Sequence, residues 1–270
     1  MNPKYVRSLE TVKRIYALYE EAVQSPEVHV EFLERMGREV LGKEPLRLRE
    51  DFCGTFRISH AWIKSDSLRT AQAVDLDPLP LVVGLETHGA YLDLSEWKRL
   101  EVRQGDVLKV RTVPGADVIL APNFSFMIFH ERAQLLSYAR RAFQSLAKKG
   151  AFVLEMAGGA GFTEKVKESR KFRRGRAKYT WEQKGINPIN LRAKYSIHLQ
   201  EGREKFLDAF TYDWRIWSMP EVRDILLESG FRDVLVYWEQ EKRGRGTGVY
   251  RVRKNAPDDH TWIVYLVGVK

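Results

Sequence analysis

One cysteine, Cys53, leaves the chain without a partner for an intrachain disulfide and fits a reducing compartment. No uninterrupted apolar run reaches the roughly 18 residues that a membrane-spanning helix needs. The opening MNPKYVRSLETVKRIYALYEEA is charged throughout and lacks the apolar centre of a secretory leader. A soluble, cytoplasmic protein is the expectation. No pair of His or Cys has metal-ligand spacing, and His130-Glu131 does not continue to HExxH, so no metal site is expected. A Walker A loop, internal repeats and low-complexity linkers are absent as well. What is present is 270 residues with 44% hydrophobic and 11% aromatic content, enough for a large buried core.

The net charge of +9 and the pI near 9.5 raise the question of nucleic acid. The excess is partly local. KVKESRKFRRGRAK (165–178) holds eight basic residues against one acid, Glu168, and a second cluster includes Lys242, Arg243, Arg245, Arg251, Arg253 and Lys254. A single-strand binder interleaves such charges with aromatic rings for base stacking, and the first cluster offers only Phe172 and Tyr179. A solvated basic face on an ordinary enzyme is therefore preferred to an RNA surface.

Two helices are expected first, from about Leu9 to Gln24 and then from Ser25-Pro26 onward. In the second, Phe32, Leu33, Met36 and Val40 share a face, and Gly42 closes it. From residue 45 the pattern becomes strand–helix alternation, with strands at Leu46–Phe52, Ala71–Leu76, Leu100–Gln104, Ala116–Ala121 and Ala151–Met156 and a helix over Ala133–Leu146. That alternation predicts a parallel sheet wrapped by helices. Residues 178–217 break the rhythm with three strand patterns, at Tyr179–Lys184, Ala193–Leu199 and Lys205–Ile216, which read as an antiparallel insertion or lid. Ser218-Met219-Pro220-Glu221 opens a last helix with a capping box, and VLVYW (234–238) and TWIVYLV (261–267) close the chain as strands.

The stretch LREDFCGTFRIS (48–59) ends the first predicted strand. A nucleophilic Cys53 needs a placed His, and none of the six His stands in such a context, so Cys53 reads as packing. A pyrophosphate cradle needs several glycines and this turn has one, Gly54. GRGTG (244–248) lies between strand patterns, opens no helix and reads as a hairpin or loop. What remains is a cofactor with adenosine at one end and no phosphates. Glu50 or Asp51 can hold its α-amino group, Gly54 lets the chain pass beneath it, and the Thr55 and Ser59 hydroxyls can bond its carboxylate. Asp75, in AVDLDP, suits both ribose hydroxyls, and Asp106, in GDV, can accept from an adenine amino group. Leu76 and Val107 stand beside them in the cofactor-facing set. All these carboxylates fall at C-terminal strand ends, where open α/β sheets bind ligands.

LREDFCGT, AVDLDP, GDV and ADVILAPNFSF, in that order, resemble the motifs of the class I S-adenosylmethionine-dependent methyltransferases over roughly residues 45–156. The resemblance implies a Rossmann-like α/β fold with a seven-stranded, mostly parallel sheet ending in a reversed hairpin strand. It also implies S-adenosyl-L-methionine as cofactor, held by Glu50 or Asp51, Gly54, Asp75 and Asp106. The family has glycine where this chain has Phe52 and Phe56, which leaves the choice between Glu50 and Asp51 open. The acceptor site is expected after the fourth strand, with Asn123 orienting the acceptor or the cofactor and Phe124 against the sulfonium or the adenine. Phe124, Phe126 and Phe129 read equally well as core. Tyr16, Tyr19, Tyr179, Trp181, Tyr212 and Trp214 can roof a pocket, and Arg215 with Asp213 can meet a charged acceptor; Asn123, Tyr179 and Arg215 are the candidates for a catalytic role. Methyl transfer does not require a dedicated base.

The resulting expectation is a single methyltransferase domain: a helical cap (1–44), a cofactor-binding core (45–156), an antiparallel insertion (157–217) and a final helix with a strand pair (218–270). Its acceptor is a small molecule methylated on nitrogen or oxygen, because a lidded pocket suits a small acceptor. An RNA methyltransferase, a dinucleotide-linked oxidoreductase and a non-catalytic S-adenosylmethionine-binding protein stay open as alternatives. No membrane partner is expected.

Overall fold

The structure, a computed structural model, describes residues 8–241 and 246–270. Helix α1 (Leu9–Val23) starts at Ser8, whose hydroxyl accepts from the Thr11 N–H, and α2 (Pro26–Met36) follows after two residues with proline in its first turn. One turn of π-helix and a left-handed Gly42 then release the chain into the sheet.

Alternation follows as expected: β1 (Arg47–Asp51), α3 (Arg57–Ser65), β2 (Thr70–Asp75), α4 (Pro78–Glu86), a short α5 (Leu94–Trp97), β3 (Leu100–Gln104), β4 (Ala116–Ala121), α6 (Arg132–Ser145) and β5 (Leu146–Gly158). Every residue of β4 is buried, as a central parallel strand requires. Next come β6 (Lys165–Phe172), β7 (Ala177–Asn187), β8 (Arg192–Glu201) and β9 (Glu204–Arg215), then α7 (Met219–Glu228), β10 (Asp233–Glu241), β11 (Gly246–Val252) and β12 (Trp262–Val269). Ser218 and Glu221 cap α7 reciprocally.

The main sheet runs β11-β10-β12-β5-β4-β1-β2-β3. β1 pairs in parallel with β2 and β4, β3 pairs in parallel with β2, and β5 does so with β4. β12 runs antiparallel between β5 and β10, which is the reversed strand the sequence implied. The sheet has eight strands, not seven. The extra one, β11, forms an antiparallel hairpin with β10 at the sheet edge. Gly246, Thr247 and Gly248 of the glycine-rich segment open β11, while Lys242, Arg243, Gly244 and Arg245 lie outside the described residues.

A second, antiparallel sheet of order β6-β7-β8-β9 forms the insertion. It has four strands where three were expected. β6 is the first basic segment, and its charge hides a strand: Lys165, Lys167, Ser169 and Lys171 alternate with Val166, Glu168, Arg170 and Phe172 across the two faces. The inward face of this sheet carries Tyr195, Ile197, Leu199, Phe206 and Trp214, all buried. α1 bridges the two sheets, packing on α4 and on β8. Among the described residues no helix is long and apolar enough to cross a membrane.

Candidate functional site

Three consecutive charged residues lie buried on the central strand β1, and alternation sends them to opposite faces. Arg49 and Asp51 share one face, with two guanidinium N–H groups donating to the two Asp51 oxygens at 2.6 and 3.1 Å. Arg49 also donates to the carbonyls of Val107 and Val110, and Tyr138 donates to Asp51 at 2.8 Å. The ion pair thus fastens the turn that carries Asp106 to the end of β1. Both oxygens of Asp51 are engaged inside the protein, although burial outweighs Arg49 and leaves its pKa raised.

Glu50 points to the other face. One of its oxygens accepts from the backbone N–H of Ser59 at 2.8 Å and from the Ser59 hydroxyl at 2.5 Å. The second has no hydrogen-bond partner among the described residues. Burial, with Asp75 and Asp51 nearby, pushes the Glu50 carboxyl up to about 8. Ser59 and Thr55 therefore direct their hydroxyls at protein carboxylates, Ser59 at Glu50 and Thr55 at Glu20 of α1.

The loop after β1 carries three alternate residues with left-handed backbone: Phe52 (φ 57°), Gly54 (φ 56°) and Phe56 (φ 49°). These include both positions where phenylalanine replaces the family's glycine. Each phenylalanine held there costs roughly 1–2 kcal/mol of backbone strain. Packing holds them in place. Phe56 is fully buried against α4, where a Cβ on Gly84 would lie 2.4 Å from its ring. The Phe52 ring sits 5.7 Å from Tyr138 and 6.1 Å from Phe129. Cys53 is buried, with its thiol pKa pushed up by burial, and acts as packing. Above Gly54 a Cβ would meet nothing within 4 Å, so this surface of the loop is open.

Asp75, at the end of β2, accepts from the Gly54 N–H at 2.8 Å and from the Asp77 N–H at 2.9 Å, and burial raises its pKa. Leu76 beside it is exposed. Asp106 caps its own turn by accepting from the Leu108 N–H, and Val107 is buried beneath it. Neither Glu50 nor Asp75 has a cation within 4 Å among the described residues. An open backbone cradle ringed by uncompensated carboxylates fits a ligand that carries an ammonium and a sulfonium charge.

α1 closes one side of this cradle. Glu20 accepts from Thr55 at 2.5 Å, meets His88 Nε2 at 3.0 Å and has Arg57 at 3.8 Å. Burial favours its neutral form, but His88, Thr55 and Arg57 outweigh that and hold its pKa below the usual carboxylate range. Sequence reading missed Glu20, Arg57 and His88, because nothing local marks a surface-helix glutamate as a tertiary partner.

Beyond the cradle, at the end of β4, Asn123 and Phe124 adopt left-handed backbone (φ 54° and 58°). The Asn123 N–H donates at 2.5 Å to Glu155 of β5, a further residue the sequence reading passed over as part of an apolar strand. Asn123 and Phe124 open into a cavity of about 370 Å³ between α1, the β4 loop and the inward face of the insertion. Tyr19, Tyr179, Trp181, Tyr212 and Trp214 all face it. Phe126 and Phe129 are buried core. Arg215 points away from this cavity, stacking over Trp217 and bonding the His130 carbonyl and Glu221. Asp213 pairs instead with Arg192.

Glu182, His198 and Asp208 bring their ligand atoms within 4.8 Å of one another on the outward face of the insertion. His198 Nδ1 accepts from the Asp208 N–H at 2.9 Å, so the ring carries its proton on Nε2 and donates it to Glu182 at 2.7 Å. That tautomer offers no free lone pair to a metal, and Lys167 and Lys184 already neutralise the two carboxylates.

No protein-family model and no curated protein matches the chain. Solved structures do. A S-adenosylmethionine-dependent methyltransferase from Clostridium acetobutylicum is 14% identical with a TM-score of 0.70, over 96% of this chain and 98% of that one. DesVI of Streptomyces venezuelae is 15% identical with a TM-score of 0.69, over 98% and 99%. CalS10, an S-adenosylmethionine-bound amino pentose methyltransferase from Micromonospora echinaspora, is 12% identical with a TM-score of 0.65, over 99% of each chain. The chain has the Rossmann-like fold of the class I S-adenosylmethionine-dependent methyltransferases.

Proposed function

We propose that this protein is an enzyme that transfers a methyl group from S-adenosyl-L-methionine to a nitrogen or oxygen of a small-molecule acceptor. The observation that carries the reading is the cradle at the strand ends: left-handed Phe52, Gly54 and Phe56 lie beside the uncompensated carboxylates Glu50 and Asp75, on a sheet with methyltransferase topology. The bound cofactor supplies a sulfonium methyl group that is already electrophilic. The protein has to hold and align. Glu50, rather than the fully engaged Asp51, faces the methionine end; Gly54 provides the open floor, Asp75 with Leu76 takes the ribose, and Asp106 with Val107 borders the adenine. Thr55 and Ser59 contribute by orienting Glu20 and Glu50. Asn123 stands where cofactor and acceptor meet, and the aromatic cavity excludes water from the transfer. Tyr179 lines that cavity and Arg215 does not, so of the two Tyr179 is kept as a candidate for positioning the acceptor. Of the cap expected over residues 1–44, the described part, 8–44, acts as a cap and 157–217 as a lid over one methyltransferase domain, while residues 1–7 lie outside the described residues. A cytoplasmic location belongs to the same proposal, because the lone buried thiol suits a reducing compartment.

Thermal unfolding with S-adenosylmethionine, S-adenosylhomocysteine, NAD and ATP tests this on wild type and Asp75→Ala. A ligand at 100 times its dissociation constant stabilises the fold by about 2.7 kcal/mol. A shift with the two S-adenosyl compounds alone, lost in Asp75→Ala, is the expected result; a shift with NAD instead refutes it.

One observation favours a second reading, an RNA acceptor. An open cleft of about 950 Å³ at the tips of β6–β7 and β8–β9 is lined by six cations, Arg14, Lys171, Arg173, Arg174, Arg176 and Lys178, and one carboxylate, Glu201. Binding to RNA that weakens steeply with salt, together with methylation of that RNA, would move the reading there.

A further inference from the structure

The insertion, 157–217, holds fourteen Lys and Arg against seven Asp and Glu, so 61 of the 270 residues carry +7 of the chain's +9. Strand alternation sorts this charge by face. The inward face of the four-stranded sheet is apolar. Lys165, Lys167 and Lys171 of β6, Lys178 and Lys184 of β7 and Lys194 of β8 stand exposed on the outward one. No Phe, Tyr or Trp shares that face among the described residues.

Two features of this charge cost stability. Lys165 faces Lys184, and Lys171 faces Lys178, directly across the β6–β7 ladder, where like charges destabilise a pair of strands. Lys167, between them, shows the favourable alternative: it faces Glu182 and meets its carboxylate at 3.2 Å. The turn that joins the two strands sets Arg173 and Arg174 in left-handed backbone (φ 50° and 53°), where glycine would sit without strain. Arg173 spends its charge on Glu21 and Glu201. The carboxylates of the outward face are committed as well, Glu182 to Lys167, Asp208 to Lys184 and Asp213 to Arg192. Lys165, Lys171, Arg174, Arg176, Lys178 and Lys194 have no carboxylate within 4 Å among the described residues.

These uncompensated cations gather in two open clefts. The cleft of about 950 Å³ holds Lys171, Lys178 and the arginine turn, and a second of about 550 Å³ holds Lys165, Lys184, Arg192 and Lys194 with Asp213. Lys165 and Lys171 lie six residues apart on β6, about 20 Å at roughly 3.3 Å per residue. A small anion fills one cleft; an occupant of both is a polyanion at least that long. With no ring for stacking, the face offers no platform for unstacked bases. It suits an occupant whose bases stay stacked on one another and whose phosphates point outward at regular spacing.

We infer that the outward face of the insertion docks the phosphate backbone of a nucleic-acid duplex without reading its sequence. This goes beyond the methyl-transfer reading. The cavity beside Asn123 lies under the opposite face of the sheet, so the duplex is a docked partner and not the methyl acceptor.

Anisotropy of a fluorescein-labelled DNA duplex of about 24 base pairs, titrated from about 50 to 300 mM salt, tests this. The logarithm of affinity should fall against that of salt with a slope of about −4 to −5, for about five neutralised phosphates. Lys171→Thr with Lys178→Thr, and separately Lys165→Thr with Lys184→Thr, should each weaken binding at least about fivefold and flatten the slope by about two. Each pair also removes a like-charge contact, so Tm should stay level or rise, which separates lost docking from lost folding. Lys148→Thr with Lys149→Thr, two exposed lysines at the start of β5, removes the same charge and should leave affinity within about twofold. Equal loss in that control, or no duplex binding at the lowest salt, overturns the inference. So does tighter binding of polyglutamate, of phosphatidylserine vesicles or of single-stranded oligo-dT, which would assign the face to an acidic protein, a membrane or a single strand. None of these readouts uses a cofactor, so the docking inference can fail while methyl transfer stands.

Discussion

Glu50 gives the sharpest energetic test of the site. A carboxyl whose pKa climbs from the ordinary 4.5 to about 8 on folding keeps a proton that the unfolded chain releases. Between these two values the folded state binds more protons than the unfolded state, so stability falls as pH rises through that window and levels off above it. Shifts of this size weigh about 1.4 kcal/mol per pH unit, which sets an upper limit of about 5 kcal/mol on the loss. Glu50→Gln keeps an oxygen for the Ser59 N–H and hydroxyl but removes the ionisation. The variant and wild type should unfold alike near pH 5. At pH 9 the variant should be more stable by about 2–5 kcal/mol, a rise of roughly 5 °C or more in Tm for a chain of this size. The same variant should bind S-adenosylmethionine less tightly at pH 9, having lost the charge that faces an ammonium group. Urea unfolding of both proteins from pH 5 to 9 reads the difference directly. Asp75 and Asp51 are coupled to Glu50 by charge, so the measured difference includes the relief of that repulsion as well as the burial of Glu50. A difference that stays flat across this range would refute the claim that Glu50 is buried without compensation.

Three further outcomes follow from the same geometry. Gly54→Ala should lose only about 1–2 kcal/mol of stability, because its Cβ meets nothing within 4 Å and only backbone strain is added. It should nevertheless weaken S-adenosylhomocysteine binding more than tenfold by calorimetry, and unchanged affinity would remove Gly54 from the floor of the site. Asp51→Asn strands the buried Arg49 guanidinium and should cost about 3–5 kcal/mol in urea unfolding at pH 7; a cost below 1 kcal/mol would mean the pair is not what fastens the Asp106 turn. Asp117, at the opposite end of β4, is held near a pKa of about 2, because bonds from Arg47, Lys43 and two backbone N–H groups outweigh its burial. Its stabilisation of about 2 kcal/mol should be complete above pH 4 and fade as pH falls towards 2. Asp117→Asn should remove that stability while leaving S-adenosylhomocysteine affinity intact.

The parallel half of the molecule was legible because its signals are local. ADVILA is a buried strand in any context, AVDLDP and GDV each end a strand in a carboxylate, and the Ser218–Glu221 box announces α7. β11 was missed because two glycines stand in its first three residues, and it becomes a strand only when β10 offers an edge. β6 was missed because its lysines are read as solvated charge until β7 pairs with them. Arg49 places a cation inside the buried part of β1. It is the counter-ion of Asp51, and the partner two residues away became apparent only once both were buried on one face.

By itself, then, the order of short motifs determined the parallel part of the sheet, its direction and the strand ends at which a ligand is expected, since periodicity and turn chemistry are written within a few residues of each other. The tertiary structure decided which carboxylate faces outward and which is spent on an arginine. It also showed that two phenylalanines hold the left-handed backbone of absent glycines, and that Glu20, His88 and Glu155 meet the site at all. Those facts depend on side chains distant in sequence sharing one low-dielectric space, where burial, pairing and strain are settled jointly.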